Sequence, residues 1–302
     1  MIILVTGATG LCGRAIINHL VKKGITCVGY SRSKPSNPVN GCIYEQGDLA
    51  SLSSIMQVMQ KHGVTHIIHS GGISHPLISA DEHWNIIQTN IVGTVNILDA
   101  ARILKVKRVV YLSSGAVYGN SKADHMCETD ACFPTTTYGV TKLASEGLCR
   151  VYKERYGLET VSLRLCYIYG PGRYQPDAMR DILNSAIKRQ NVIWKEGGGQ
   201  ELEYLHVDDC ARAVILALEA ENLPYNEVNI GSGINTSIIQ IGNIVSQIYP
   251  ECRIEIKGGA LGYDLLGPFD CTRARNWLGF APQVALEDGI ATYAEWLEKN
   301  KK

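Results

Sequence analysis

Tyr138 and Lys142 are the residues whose types and spacing most directly suggest chemistry. Four positions apart on a helix, their side chains share one face. An ammonium beside a phenol favours the phenolate and lowers its pKa from about 10. That would let Tyr138 pass a proton to or from a hydroxyl or ketone oxygen. The same spacing occurs on solvated surface helices, so the setting decides. Here the setting is Val110-Tyr111-Leu112-Ser113-Ser114-Gly115-Ala116-Val117-Tyr118-Gly119, an apolar strand that ends in a polar turn. Ligands of α/β sheets bind outside the carboxyl ends of strands. A serine there can hydrogen-bond the oxygen on which Tyr138 acts.

A second constellation is Gly7-Ala8-Thr9-Gly10-Leu11-Cys12-Gly13, between an apolar run Ile2–Thr6 and a helical stretch 14–23. Gly7, Gly10 and Gly13 suit a tight turn that brings backbone close to a pyrophosphate, with its charge met by the helix N-terminus. A glycine turn alone is weak, but strand, turn, helix and second strand follow in the required order. The second strand, 26–30, ends in Ser31-Arg32-Ser33, with no acid until Glu45. An NAD site usually offers a carboxylate to the ribose 2′-hydroxyl, whereas Arg answers a 2′-phosphate. This end therefore favours NADP over NAD. Asp48, in Gly47-Asp48-Leu49, either accepts from an adenine amino group or caps a helix.

The elements that must position these residues read as an α/β chain. Strands are expected at 2–6, 26–30, 66–69, 108–112 and 160–165. Helices are expected at 14–23, 81–104, 138–156 and 178–188, and a terminal one carries Leu286, Ile290, Tyr293 and Leu297. Strands alternating with helices imply a doubly wound, mainly parallel Rossmann sheet with right-handed crossovers. The expected division is a dinucleotide-binding domain, 1–166 with a return at about 203–232, and a smaller substrate lobe, 167–202 and 233–302.

Charge narrows the partners. With 29 Lys+Arg against 29 Asp+Glu the formal net charge is zero. That removes the long-range attraction that nucleic acid or an anionic membrane requires. The one dense lysine run is the tail, Lys299 to Lys302. No apolar stretch approaches a spanning helix, and Met1 runs into a strand with no signal-peptide pattern. The ten cysteines include no C-x-x-C pair and sit largely among apolar neighbours, as reduced thiols do. A cytoplasmic location is expected. His62, His66 and His69 cross from a glycine into a strand, so helical metal spacing does not apply and no metal is expected. His206 reads as structural, with Asp208 or Asp209 capping the next helix; Tyr118 and Tyr169 read as core before pocket wall.

TGATGLCG, GDL, the Ser113–Gly119 segment, YGVTK, LRLCYIYGPG, YLHVDD, VNIGSG and ARNWLGFAP together resemble the extended short-chain dehydrogenase/reductase superfamily, in its NAD-dependent epimerase/dehydratase family. The resemblance implies Tyr138 as catalytic base and Lys142 as the holder of the nicotinamide ribose. It implies Ser114 as the hydroxyl-orienting partner and Asn90 as a support inside the long helix. Thr9, Leu11, Ser31, Arg32, Asp48, Leu49, Ser70, Gly71 and Gly72 would line the cofactor. Ile73, Ser74 and Tyr167 would face a small-molecule substrate. A homodimer through 81–104 and 138–156 is also implied.

The departures shape the functional expectation. Dehydratases of the family carry an Asp-Glu pair where this chain has Gly115-Ala116. Nucleotide-sugar epimerases usually place Asn at the position of Tyr167 and Arg at that of Leu202, and a further Arg within 258–272 is not evident. A buried diphosphate without cationic partners is costly. The expectation is an NAD(P)-dependent oxidoreductase or epimerase moving hydride between nicotinamide and a secondary alcohol or ketone carbon of a sugar-like or polyol-like substrate. A nucleotide-sugar 4-epimerase with a rebuilt diphosphate site is the alternative. A non-catalytic NADP-binding regulator is the second, disfavoured because it needs no proton-transfer set.

Overall fold

Short β-branched runs form the sheet, because residues buried on both faces must be apolar throughout. The computed structural model describes residues 1–74, 82–121 and 123–300. Its strands are β1 (Ile2–Thr6), β2 (Thr26–Ser31), β3 (Ile43–Gln46), β4 (His66–His69), β5 (Arg108–Ser114) and β6 (Glu159–Leu165), followed by β7 (Tyr167–Tyr169), β8 (Val192–Trp194), β9 (Glu201–His206), β10 (Glu227–Ile230), β11 (Asn235–Ser237) and β12 (Ile254–Ile256). The helices are α1 (Leu11–Lys22), α2 (Leu52–His62), α3 (His83–Ile87), α4 (Gly93–Ile103), α5 (Thr137–Tyr156), α6 (Ala178–Ile187), α7 (Val207–Glu219), α8 (Ile238–Ile248), α9 (Thr272–Leu278) and α10 (Leu286–Lys299).

Seven parallel strands lie in the order β3-β2-β1-β4-β5-β6-β10. This is the doubly wound Rossmann arrangement, whose order reverses between β1 and β4. Alternate side chains feed two cores. Ile3, Val5, Ile68, Val110 and Leu112 pack with α1 and α7. Leu4, Val28, Ile67, Val109 and Tyr111 pack on the other face with α2, α4 and α5. A three-stranded sheet, β11-β9-β7, and a two-stranded one, β12-β8, build the second body with α6, α8 and α10 around Ile182, Ile241, Ile290 and Tyr293.

Three details differ from the sequence expectations. Ala274, Leu278 and Phe280 around α9 pack into the core of the main sheet, although that stretch was assigned to the lobe. The expected helix 81–104, whose first residue lies outside the described ones, is interrupted. A π-helical turn, Gln88–Val92, separates α3 from α4. Finally, His206 itself is the N-cap of α7, accepting from the Asp208 amide, while Asp209 accepts from the Gln283 and Val284 amides and pairs with Arg212. Tyr118 and Tyr169 are both core, at 1% exposure.

Candidate active site

The cleft opens at the carboxyl edge of the sheet, over the strand-order reversal, and encloses about 720 Å³. Gly7 follows β1 with φ +65°, a conformation that L side chains rarely adopt. A Cβ at Gly13 would strike the Gly7 carbonyl, so the first turn of α1 sits directly on the loop. The N-cap of α1 is Gly10, with no side-chain cap and no acid in the first turn. In contrast Ser51, Thr136 and Asp177 cap α2, α5 and α6 with their side chains. The amides at the start of α1 thus face the cleft without a side-chain acceptor, which fits the pyrophosphate of a dinucleotide.

Thr9, Leu11, Ser31, Arg32, Asp48 and Leu49 line the same cleft, as do Ser70, Gly71, Gly72, Ile73 and Ser74. Asp48 holds its own turn by accepting from the Ala50 amide, and the cap of α2 is Ser51, not Asp48. Glu45, the nearest acid after β2, is bound to Lys61 and His62 at 2.7 Å each. The Thr6 hydroxyl accepts from the Gly71 amide and bonds the buried His69 ring, fixing the loop after β4 against β1. Burial drops His69 to about 3, so its ring is neutral. The three histidines considered for metal each go elsewhere: His62 to Glu45, His66 to Thr65, His69 to Thr6 and Thr94.

At the inner end, β5 delivers Ser114 and α5 delivers Tyr138 and Lys142 to one spot. The Ser114 hydroxyl accepts from the Ala116 amide at 3.2 Å and stands beside the Tyr138 phenol, close enough to oppose the rise in its pKa. Lys142 donates to the Leu112 carbonyl at 2.6 Å, and its Nζ lies 5.7 Å from the Tyr138 ring centre. The expected lowering of the phenol by Lys142 is not what the protein shows. Burial pushes Tyr138 up to about 12, with the neighbouring Ser114 hydroxyl opposing it. Burial likewise pulls Lys142 down to about 8. Both groups are desolvated, and the ammonium is turned to a carbonyl rather than to the phenol.

Asn90 lies behind the cleft, 2% exposed, in the π-turn. Its Oδ1 accepts from the Ile73 amide at 2.8 Å; its Nδ2 donates to the Ile73 carbonyl and the Thr141 hydroxyl at 3.0 Å. It clamps the loop after β4, at Ile73, to α5. Sequence reasoning missed a second clamp. Glu146, one turn beyond Lys142, accepts from Ser113 Oγ at 2.5 Å and from Arg164 through both oxygens. Arg164 also donates to the Tyr118 hydroxyl. The signal was there: Glu146 follows Lys142 at helical spacing, and Arg164 interrupts an otherwise apolar strand.

The outer end belongs to the second body. Tyr167 packs edge-on to Tyr204 and Tyr263 and lies under the Arg173 guanidinium at 4.7 Å. Arg173 is fully engaged, with Asp177, the Ile168 carbonyl and the Tyr167 hydroxyl. Leu202 lines the wall, beside Glu201, Glu203 and Asp264.

Strand order and cleft together define the class, a Rossmann-type α/β enzyme. A model of the family described as NAD dependent epimerase/dehydratase matches residues 3–231, and the chain belongs to that family. Among similar proteins is a putative UDP-glucose 4-epimerase of Methanocaldococcus jannaschii, 27% identical over 322 residues and 99% of both chains. The UDP-glucose 4-epimerase of Thermotoga maritima, solved with UDP-glucose, matches with a TM-score of 0.91 and 26% identity over 100% of both chains. MoeE5 in complex with UDP-glucose and NAD matches at 0.88 and 26%, again over 100% of both.

Glu203 ties the floor of the outer end, accepting from the Gly233 and Phe269 amides at 2.7 Å. Burial raises its carboxyl from 4.5 to about 7. The folded protein therefore takes up a proton over that interval that the unfolded chain does not, and stability falls as pH climbs from 4.5 to 7. A rise of that size corresponds to about 3 kcal/mol. Relative to Glu203→Gln, the parent should lose about that much between pH 4.5 and 7.5 in urea unfolding; a pH-independent difference would refute it.

Proposed function

We propose that the protein transfers hydride reversibly at a secondary carbinol carbon of a sugar-like substrate, and that this is an epimerisation. The observation that carries it is the convergence of Ser114, Tyr138 and Lys142 on one spot beside the open N-terminus of α1. A bound nicotinamide dinucleotide supplies a hydride acceptor and donor. Ser114 orients the reacting oxygen. Tyr138, held protonated at neutral pH by burial, gives its proton to a ketone oxygen and takes one back from an alcohol. Lys142 holds the ribose hydroxyls, and Asn90 keeps the Ile73 wall and α5 at fixed separation. Gly115 and Ala116 at the end of β5 offer no carboxylate to move a carbon-bound proton, which argues against dehydration.

Electrostatics support a substrate without a nucleotide handle. Among the described lining residues the cations are Arg32, Lys142 and Arg173. The first lies at the ribose end, the second at the Tyr138 end, and the third is already paired. The names of the relatives favour a second reading, a UDP-sugar 4-epimerase that binds its diphosphate differently. A thermal-shift measurement separates the two: UDP should leave Tm unchanged under the first and raise it by several degrees under the second.

The adenosine end favours NADP over NAD, since Arg32 is exposed beside Ser31 and Ser33 and Glu45 is committed to α2. Arg32→Ala should weaken NADPH at least tenfold and leave NADH within twofold; equal losses would overturn the preference. A homodimer through the 83–103 helical stretch and α5 is supported by the exposed Trp84 and Ile87 on α3 and Val140, Val151 and Tyr156 on α5, and sedimentation velocity would read it. Tyr138→Phe should lower turnover by about 10²–10⁴-fold while dinucleotide still binds. A variant retaining most of its activity would remove Tyr138 from this role.

A further inference from the structure

Cys12 and Cys210 have no part in the chemistry above, yet their sulfurs face each other at 4.0 Å across the contact of α1 with α7. Cys12 is the second residue of α1 and lines the dinucleotide cleft. Cys210 stands in the first turn of α7 and is fully buried. One thiol thus borders the cleft, and the other is buried directly behind it. We propose that Cys12 is a modification site for low-molecular-weight disulfides, resolved by Cys210 into an internal disulfide that disables the cleft.

The thiols differ in the way such a pair needs. The Cys210 thiol and the charges of Arg173 and Lys142 hold Cys12 below the usual thiol range, against the effect of burial. Cys210 is pushed well up, first by its bond to Cys12 and then by burial. The Cys12 thiolate attacks one sulfur of glutathione disulfide. A sulfur–sulfur bond forms to Cys12, and the first glutathione leaves as a thiolate that takes up a proton. Capping Cys12 removes the negative charge beside Cys210. The Cys210 sulfur then attacks the Cys12 sulfur, its proton goes to the second departing glutathione, and the internal bond closes. Two protein thiols are oxidised by two electrons and one disulfide becomes two thiols.

Closure must shorten the sulfur separation from 4.0 Å to about 2.05 Å. On this proposal the start of α1 gives way toward α7 as the bond closes. Those same residues, Leu11 to Gly13, carry the amides that face the cleft. This consequence rests on the dinucleotide reading above, and the experiment separates the two. The full chain is incubated with glutathione disulfide, alkylated and mapped by peptide mass spectrometry. The parent should yield a Cys12–Cys210 bridge, Cys210→Ser a persistent glutathione adduct on Cys12, and Cys12→Ser neither. Cys210→Ala serves in place of Cys210→Ser if that variant does not fold. Saturating NADPH should slow modification of Cys12 at least tenfold. The bridged protein should bind NADPH at least tenfold more weakly, restored by dithiothreitol. Cys12 found reduced throughout, or bridged only to a cysteine other than Cys210, overturns the site. A bridge that leaves NADPH affinity unchanged overturns its effect on the cleft. If the reduced parent binds no dinucleotide, the functional reading fails instead, while the mapping still decides the site.

Discussion

The arrangement of the site depends on one buried ion pair. Glu146 and Arg164 are 1% and 3% exposed, and each uses its charge inside the protein. Buried charges are costly to desolvate, and they persist only when geometry and extra hydrogen bonds offset that cost. Here the offset comes from the bidentate contact, from Ser113 and from Tyr118. The pair joins the middle of α5 to the ends of β5 and β6. Ser114 is next to Ser113, and Lys142 is one turn from Glu146. A register error of one residue between helix and sheet would break the pair as well as separate the serine from the tyrosine. The costly interaction and the useful geometry are therefore satisfied by the same alignment.

Asn90 performs the matching task on the other side of α5. A regular α-helix over 83–103 would carry residue 90 at a different angle from that seen. The π-turn adds a residue to the turn and leaves the Asn90 side chain aimed at Ile73 and Thr141. Such turns recur where a helix must serve a site rather than only a core. Three elements, the loop after β4, the end of β5 and the start of α5, are thereby held by Asn90, Glu146 and Arg164, which stand behind the cleft wall.

What was legible in the chain was what local physics decides. Apolar runs marked the strands, glycines marked the turn before α1, and Gly157, with φ 68°, ended α5 where expected. The residues lining the cleft followed from the resemblance, because their spacing lies within single loops. What was not legible depends on distant partners. Nothing near Tyr138 says that Lys142 turns to Leu112. Neither the π-turn nor the packing of α9 under the main sheet leaves a periodic trace, since both answer to neighbours far along the chain.

The sheet order also has a consequence in time. β6 receives its outer neighbour, β10, only after the chain has left to build β7, β8 and β9. During synthesis the first six strands can assemble while the amide and carbonyl row on the far side of β6 stays open. Ser162 waits for the Asn226 carbonyl and Cys166 for that of Ile230. A nascent chain is thus left with a sticky border for some sixty residues of translation, and the first part of the second body, β7 to β9, is the detour made before β10 seals that border.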